Sequence, residues 1–86
     1  MEDTLLVSAK KLNACHIRMA RVGVNLSIGE LAELADMNKA TIVRIEAGES
    51  VRDTSLNTVR SVLEDKGAIF WRYKPSNKIV ISINED

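Results

Sequence analysis

The sequence predicts a mainly α-helical domain, in which four helices are followed by a C-terminal two-stranded β-hairpin. From about residue 5 to residue 66 the apolar residues recur at helical spacing. Good N-cap residues and glycines divide this stretch into four segments. After Gly67, apolar and polar residues alternate with the period of a β-strand. We therefore expect a single domain over residues 1–86, with a helical part at about 5–66 and a hairpin at 68–84.

The composition limits the size and the chemistry of this domain. The 86 residues, of which 45% are hydrophobic, are enough for one modest core. The 12 basic residues balance the 12 acidic ones, so any site for a polyanion has to be a local patch. A single cysteine permits no internal disulfide, and no apolar run approaches the roughly 18 residues of a membrane span. We expect a cytoplasmic protein with no membrane partner.

The first predicted helix runs from about Leu5 to Val22, and Gly23 marks its end. On a helical wheel one side of this helix is apolar and is expected to face the core, whereas the opposite side is basic. The apolar side consists of Leu12, Cys15, Met19 and Val22, and the basic side of Lys10, Lys11, Arg18 and Arg21.

Two short helices follow, separated by a bend. Ser27 begins the second helix, and Glu30 completes a capping box in which each side chain satisfies a backbone N–H. Asn38 is a good N-cap for the third helix, which ends at Gly48. Asp36 occupies the bend, where a left-handed backbone is often required and Asp tolerates it. The residues expected to hold the two helices together are Leu31, Leu34, Ile42 and Ile45.

A fourth helix and the hairpin complete the predicted fold. The fourth helix starts at Asp53 or Thr54 and is closed by Gly67. The segments AIFWRY and KIVISIN then alternate as strands around the turn KPSN. Because a two-stranded hairpin is marginal in water, we expect it to pack on the helices, to join strands of a second subunit, or both. The residues predicted to serve dimerisation are Ile69, Trp71, Ile79, Ile81 and Ile83.

Two helices of this length joined by a short turn form a helix-turn-helix unit, whose second helix can enter the major groove of DNA. The run LSIGELAELADMNKATIVRIEAG, residues 26–48, resembles the Cro and phage-repressor type of helix-turn-helix, also called the xenobiotic-response-element family. The resemblance covers roughly residues 12 to 66. It implies a Cro/lambda-repressor-like fold and a transcriptional regulator that binds a double-stranded DNA operator as a homodimer. Such regulators are typical of prophages and other mobile elements.

The outward face of the third helix predicts base readout. With Ile42 and Ile45 inside, helical geometry places small apolar residues and an arginine outside. Small apolar groups can contact thymine methyls, and Arg can donate two hydrogen bonds to guanine O6 and N7. The resemblance adds Lys39 as a base reader. The predicted base-reading residues are Lys39, Ala40, Val43 and Arg44, with Arg44 as the principal one.

Polar and basic residues around the third helix predict contacts with DNA phosphates. Many members of the family have Gln just after the position of Ser27, where it contacts a phosphate, and Ile28 stands there in this chain. We expect that contact to come from Ser27 and from backbone N–H groups at the start of the second helix. The predicted phosphate-contacting residues are Arg18, Arg21, Ser27, Asn38, Thr41, Ser50 and Arg52.

Several of these residues have structural alternatives. Arg44 could pair with an acid on its own helix, and Val43 could be buried at an oligomer contact. Trp71 and Tyr73 could stack on single-stranded bases, although packing on the helices or across a dimer fits them better. An ordinary solvated face could account for Lys11, Arg18 and Arg21.

The residues needed for a metal centre or a catalytic site are missing from the sequence. Cys15 and His16 are adjacent, but there is no second Cys or His with which to build a zinc site or an oriented Cys–His pair. We expect Cys15 in the core and His16 partly exposed. We predict no enzyme activity, no metal and no cofactor.

The rival function is a protein-interaction module, such as an antitoxin or an antiactivator. Such a module would keep the helical fold and bind a partner protein, here of unknown identity. The neutral net charge and the Ile28 position favour this rival.

Overall fold

The computed structural model describes residues 5–84, which form four helices and one three-stranded antiparallel sheet. The elements in chain order are β1 (Leu6–Ser8), α1 (Ala14–Gly23), α2 (Ile28–Leu34), α3 (Lys39–Glu46), α4 (Asp53–Asp65), β2 (Ala68–Tyr73) and β3 (Lys78–Ile83). No helix in this described range is both long and apolar enough to cross a bilayer.

The segment after Leu5 forms a strand, so the prediction of a helix starting there is wrong. β1 pairs antiparallel with β2, with Leu6 opposite Tyr73 and Ser8 opposite Trp71. The pairing overrides the weak helical pattern of this short segment because it satisfies one edge of β2. The two strands of the predicted hairpin are present as β2 and β3, but the sheet has a third strand, in the order β1-β2-β3.

The first helix begins at Ala14 because Asn13 caps it. The Asn13 side-chain oxygen accepts a hydrogen bond from the His16 backbone N–H at 3.3 Å, and the Asn13 backbone N–H donates to His16 Nδ1 at 3.1 Å. This is a capping box with His in the place usually taken by Glu or Gln. His16 is half-buried, in agreement with the prediction.

The core-facing side of α1 also differs from the prediction. Ile17 and Ala20 are buried, whereas Cys15 is exposed, and Met19 and Val22 are 55% and 61% exposed. The prediction counts Leu12 as part of the helix and derives the apolar side from its position on the helical wheel. Leu12 in fact precedes the helix and packs against the core from the loop. The face of α1 that carries Ile17 and Ala20 packs on α3, α4 and β3 instead.

The two central helices pack largely as predicted. Leu31, Ile42 and Ile45 are buried. Leu34 is 48% exposed, so its predicted core position is wrong. It is the last residue of α2, and the next residue, Ala35, fills the core in its place.

One arginine ties α4 to the sheet. Arg60 donates to the Ala9 carbonyl at 2.5 Å and to the Glu64 carboxylate at 3.0 Å. Its guanidinium also lies over the Phe70 ring, 5.2 Å from the centroid, in a cation–π contact. These contacts hold β1 and β2 against α4, and a single cluster of buried residues joins the helices and the sheet.

The two faces of the sheet differ in burial. Ala68 and Phe70 are buried under the helices, opposite Ile83 and Ile81 of β3. Alternation places the neighbouring β2 residues on the outer face, where they are exposed or half-buried. The predicted dimerisation residues are therefore divided: Ile79, Ile81 and Ile83 pack partly against the core, and Ile69 and Trp71 lie on the outer face.

A partly buried ion pair fixes α1 against α3. Arg21 Nε and Nη2 donate to the two carboxylate oxygens of Glu46 at 2.6 and 3.0 Å, and Nη1 donates to the Leu26 carbonyl at 2.9 Å. The two side chains are only 13% and 8% exposed. Hydrogen bonding to the Glu46 carboxylate raises the pKa of Arg21, so the pair stays charged.

Removing one partner of this pair is expected to cost more than removing both. Arg21→Met leaves the Glu46 carboxylate desolvated and unpaired, which should lower the free energy of unfolding by about 2–4 kcal/mol. The double variant Arg21→Met/Glu46→Leu should recover part of that loss because no charge is left unpaired. Urea unfolding measures both variants, and a single variant as stable as the native chain would contradict the role given to the pair.

The His16 cap makes stability depend on pH. Partial burial lowers the pKa of His16 below its ordinary value of 6.5. Below that value the unfolded chain binds a proton that the folded chain resists, so stability falls as the pH drops. Between pH 7.5 and 5.5 the free energy of unfolding should therefore decrease.

The variant His16→Gln provides the control for this pH dependence. Glutamine can close the same capping box without titrating, and His16 is the only histidine of the chain. The decrease measured by urea unfolding should be smaller in the variant. Equal slopes in the two proteins would show that His16 is not the titrating group.

Candidate nucleic-acid interface

α2 and α3 are joined by a short turn whose backbone is tightly held. Asp36 adopts a left-handed conformation with φ of 57°, as predicted for the bend. The next residue, Met37, donates its N–H to the Ala32 carbonyl at 2.9 Å. Ala32 is itself buried and lets the two helices approach closely. The turn therefore sets the direction of α3 relative to α2.

The face of α3 opposite the core is open to solvent. Ala40, Val43 and Arg44 are exposed, whereas Ile42 and Ile45 are buried. The predicted division of this helix into two faces is confirmed. Small apolar groups and arginine are residue types that can contact the edges of bases in a major groove.

Arg44 makes one ion pair at the edge of this face. Its Nε donates to Glu49 Oε1 at 3.2 Å, and the two side chains are 59% and 55% exposed. The partner acid lies beyond the end of α3, not on the same helix as the alternative prediction supposed. Exposed pairs of this kind contribute about 0–1 kcal/mol, so the contact is a weak one.

Lys39 runs toward α2 instead of along the open face of α3. Its Cε and Nζ lie 3.7 and 3.9 Å from the position that a Cβ on Gly29 would occupy. The absence of a side chain at Gly29 leaves room for this crossing. The ammonium thus lies beside the start of α2.

The start of α2 is already occupied by a capping box. The Ser27 backbone N–H donates to Glu30 Oε1 at 2.8 Å, and Ser27 Oγ accepts from the Glu30 N–H at 3.0 Å. The hydrogen bond from the Ser27 N–H lowers the pKa of Glu30, which keeps a charged carboxylate at this point. The capping box engages the N–H groups of Ser27 and Glu30. The N–H groups of Ile28 and Gly29, in the first turn of α2, take no part in it, so the predicted use of backbone N–H groups and the Ser27 hydroxyl stays a prediction.

Of the two arginines predicted on α1, one belongs to the fold. All three nitrogens of Arg21 donate to Glu46 or Leu26, so this side chain is engaged within the fold, and its predicted phosphate contact would have to compete with these bonds. Arg18 is exposed on the same helix.

A shallow groove between α3 and the start of α4 gathers several of the predicted phosphate contacts. It is lined by Thr41, Arg44, Ser50, Val51, Arg52 and Ser55. Asn38, which makes no side-chain capping bond, lines the adjoining groove together with Thr41 and Ser55. The first turn of α4 likewise lacks a side-chain cap.

Ser55 is the polar residue in this groove that the sequence analysis missed. The predicted start of α4 at Asp53 or Thr54 placed Ser55 in the first turn. The chain alone did not indicate that this turn would lie beside Thr41 of α3. A helix start without a side-chain cap is a favourable neighbour for an anion, although Asp53 in the same turn opposes it.

The described part of the chain shows no metal-binding cluster, and its one cysteine is exposed. Residues 5–84 hold no group of three or more His, Cys, Asp or Glu side chains placed to bind a metal ion. Cys15, which was expected in the core, is exposed, and its Sγ donates a weak hydrogen bond to Met19 Sδ at 3.7 Å.

Comparison with known proteins identifies the same part of the chain. A family model described as helix-turn-helix matches residues 17–64, more than half of the chain, from the middle of α1 to the end of α4. A search of curated proteins gave no match. The match contains both central helices, the turn and the groove, and leaves out the three strands. The chain therefore belongs to the helix-turn-helix family of DNA-binding transcription regulators.

Proposed function

We propose that this protein is a sequence-specific double-stranded DNA-binding regulator of the Cro/phage-repressor type, acting as a dimeric repressor or autoregulator. The observation that carries the proposal is the exposed face of α3, with Ala40, Val43 and Arg44, on a helix anchored by Ile42 and Ile45. A DNA-binding role places the protein in the cytoplasm or nucleoid. The resemblance to phage repressors favours a gene of a prophage or another mobile element.

Base readout in this proposal depends mainly on Arg44. Its terminal nitrogens donate to O6 and N7 of a guanine, and Ala40 and Val43 contact thymine methyls beside it. Lys39, given its path across Gly29, serves the backbone of the DNA and reads bases only if its side chain swings away.

Contacts with the DNA backbone surround that helix. The groove residues Thr41, Ser50 and Arg52 bind one phosphate strand, with Ser55 beside them. Asn38, Lys39, Ser27 and Arg18 serve the other side. Because the chain has no net charge and Arg21 is committed to the fold, few phosphates are neutralised per subunit. The affinity should therefore depend moderately on salt and require two subunits.

Dimerisation in this proposal uses the free edge of β3. The Asn84 N–H donates to the Gly67 carbonyl at 2.7 Å, and alternation then directs the N–H groups of Ile79, Ile81 and Ile83 away from β2. Two such edges can pair across a two-fold axis and form one continuous sheet. The resulting symmetry would place the two copies of α3 on half-sites about one helical turn apart, roughly 34 Å.

The first prediction concerns Arg44. After selection of an operator from a random DNA pool, Arg44→Ala should weaken binding to that operator by about 10- to 100-fold per half-site, because two hydrogen bonds to guanine are lost. It should also relax the preference at one base pair. Lys74→Ala, an exposed change in the loop between β2 and β3, serves as the control and should bind like the native protein. Unchanged operator binding by Arg44→Ala would contradict the assignment.

The second prediction concerns the dimer. A Cβ on Gly23 would lie 2.9 Å from Ile83 Cδ1, so the end of α1 lies against the end of β3, and Val22, the residue before Gly23, is exposed. Val22→Glu should place two carboxylates near the two-fold axis and weaken self-association by at least about 10-fold. Sedimentation equilibrium measures the change. Leu5→Glu, at the opposite edge of the sheet, is the matched control, and a native-like dimer in Val22→Glu would exclude this interface.

The rival is the protein-interaction module. It is favoured by the zero net charge and by the apolar outer face of the sheet, where Ile69 and Val80 are exposed next to Trp71 and Tyr73. Two results together would support the rival. No DNA sequence would be selected and no gel shift seen at any salt concentration, and a partner protein would bind the native chain but not the Ile69→Lys variant.

A further inference from the structure

We propose that Glu49 is a positioning residue for base readout, because its carboxylate holds Nε of Arg44 and directs the two terminal nitrogens toward a guanine. This inference rests on the proposed function and deepens it. It assigns a specificity role to an acid, a residue type that a DNA-facing surface would otherwise be expected to avoid.

The position of Glu49 is set by the backbone at the end of α3. Gly48 has a positive φ of 84° and donates its N–H to the Ile45 carbonyl at 3.1 Å. The Glu49 N–H then donates to the carbonyl of Arg44 itself at 3.0 Å. This pair of bonds is a Schellman motif, which ends the helix and turns the chain back over its last turn. Glu49 is thereby tied to the backbone of the residue whose side chain it contacts.

The contact uses only one side of the guanidinium. Arg44 Nε donates to Glu49 Oε1 at 3.2 Å. Within residues 5–84 this is the only hydrogen bond that the Arg44 side chain makes, so Nη1 and Nη2 remain open to solvent. A guanidinium carries its donors in a rigid planar fork. Once Nε is held, the plane and the direction of the two remaining donors are restricted.

That geometry matches the way an arginine reads guanine. The O6 and N7 acceptors of guanine accept two parallel hydrogen bonds from the terminal nitrogens, and Nε is not needed. Glu49 can therefore stay in contact with Nε in the complex and reduce the freedom that Arg44 would otherwise lose on binding. Its charge acts in the opposite direction on DNA of any sequence, since it repels phosphates and offsets the positive charge of Arg44.

The two effects predict different behaviour for two substitutions. Glu49→Gln keeps an oxygen that can accept from Nε and removes the charge. Glu49→Ala removes both. The backbone bonds of the Schellman motif involve no side chain at this position, so both variants should keep the fold, which circular dichroism checks. Each protein is then titrated with the selected operator, and with the same operator in which the guanine read by Arg44 is replaced by adenine.

We expect Glu49→Ala to lower the ratio of the two affinities by about three- to five-fold, the size of an exposed ion pair, while its affinity for unrelated DNA rises. Glu49→Gln should keep the native ratio and gain affinity for both DNAs. Glu64→Ala removes an acid that also pairs with an arginine but lies on α4, and this control should leave the ratio unchanged.

The outcomes separate the inference from the proposal beneath it. If the native protein selects no DNA sequence, both fail together. If Arg44→Ala lowers the ratio and Glu49→Ala does not, the proposed function stands and the positioning role is overturned. A loss of discrimination in Glu49→Gln as large as in Glu49→Ala would also overturn it, because charge and not orientation would then be the cause.

Discussion

The ion pair between Arg21 and Glu46 is the constraint on which the presentation of α3 depends. It joins α1 to α3, and through the Leu26 carbonyl it also holds the loop that leads into α2. Arg44 lies only two residues before Glu46, so the direction of the exposed arginine follows from that of the anchored acid. Because the pair is only partly exposed, its geometry is restricted by packing as well as by charge. The positive charge of Arg21 is consequently neutralised within the fold and does not add to the exposed surface around α3.

This use of charge explains how a neutral chain can still offer a surface to DNA. Acidic and basic residues are balanced, but Glu46 and Glu64 are paired with arginines that hold the fold together. Glu30 and Glu49 remain close to the open side, each placed by a helix end. Recognition by such a surface depends on the geometry of a few donors more than on a broad positive field, which favours discrimination over general affinity for nucleic acid.

The central helices were predictable because their signals are local. Capping at Ser27, the left-handed bend at Asp36 and the burial of Ile42 all follow from residues within a few positions of one another. The errors concern structure that depends on contacts between residues far apart in the sequence. The strand at Leu6–Ser8 exists because β2, about 60 residues later, offers an edge. The core-facing side of α1 is mispredicted because Leu12, which precedes the helix, is counted as part of it. The sequence could likewise not show that Arg21 would meet Glu46, or that Lys39 would cross Gly29, since both depend on how the helices approach.

The pairing of β1 with β2 also has a consequence for how the chain folds. The helices and the β2–β3 hairpin close over short stretches of sequence, whereas β1 must find β2 across the whole length of the helical region. Closing so large a loop costs more entropy than any local contact. The N-terminal strand is therefore the element expected to dock last. Until it does, β2 exposes an unpaired edge that can join another chain. The folding protein is therefore most prone to misassembly just before β1 pairs with β2.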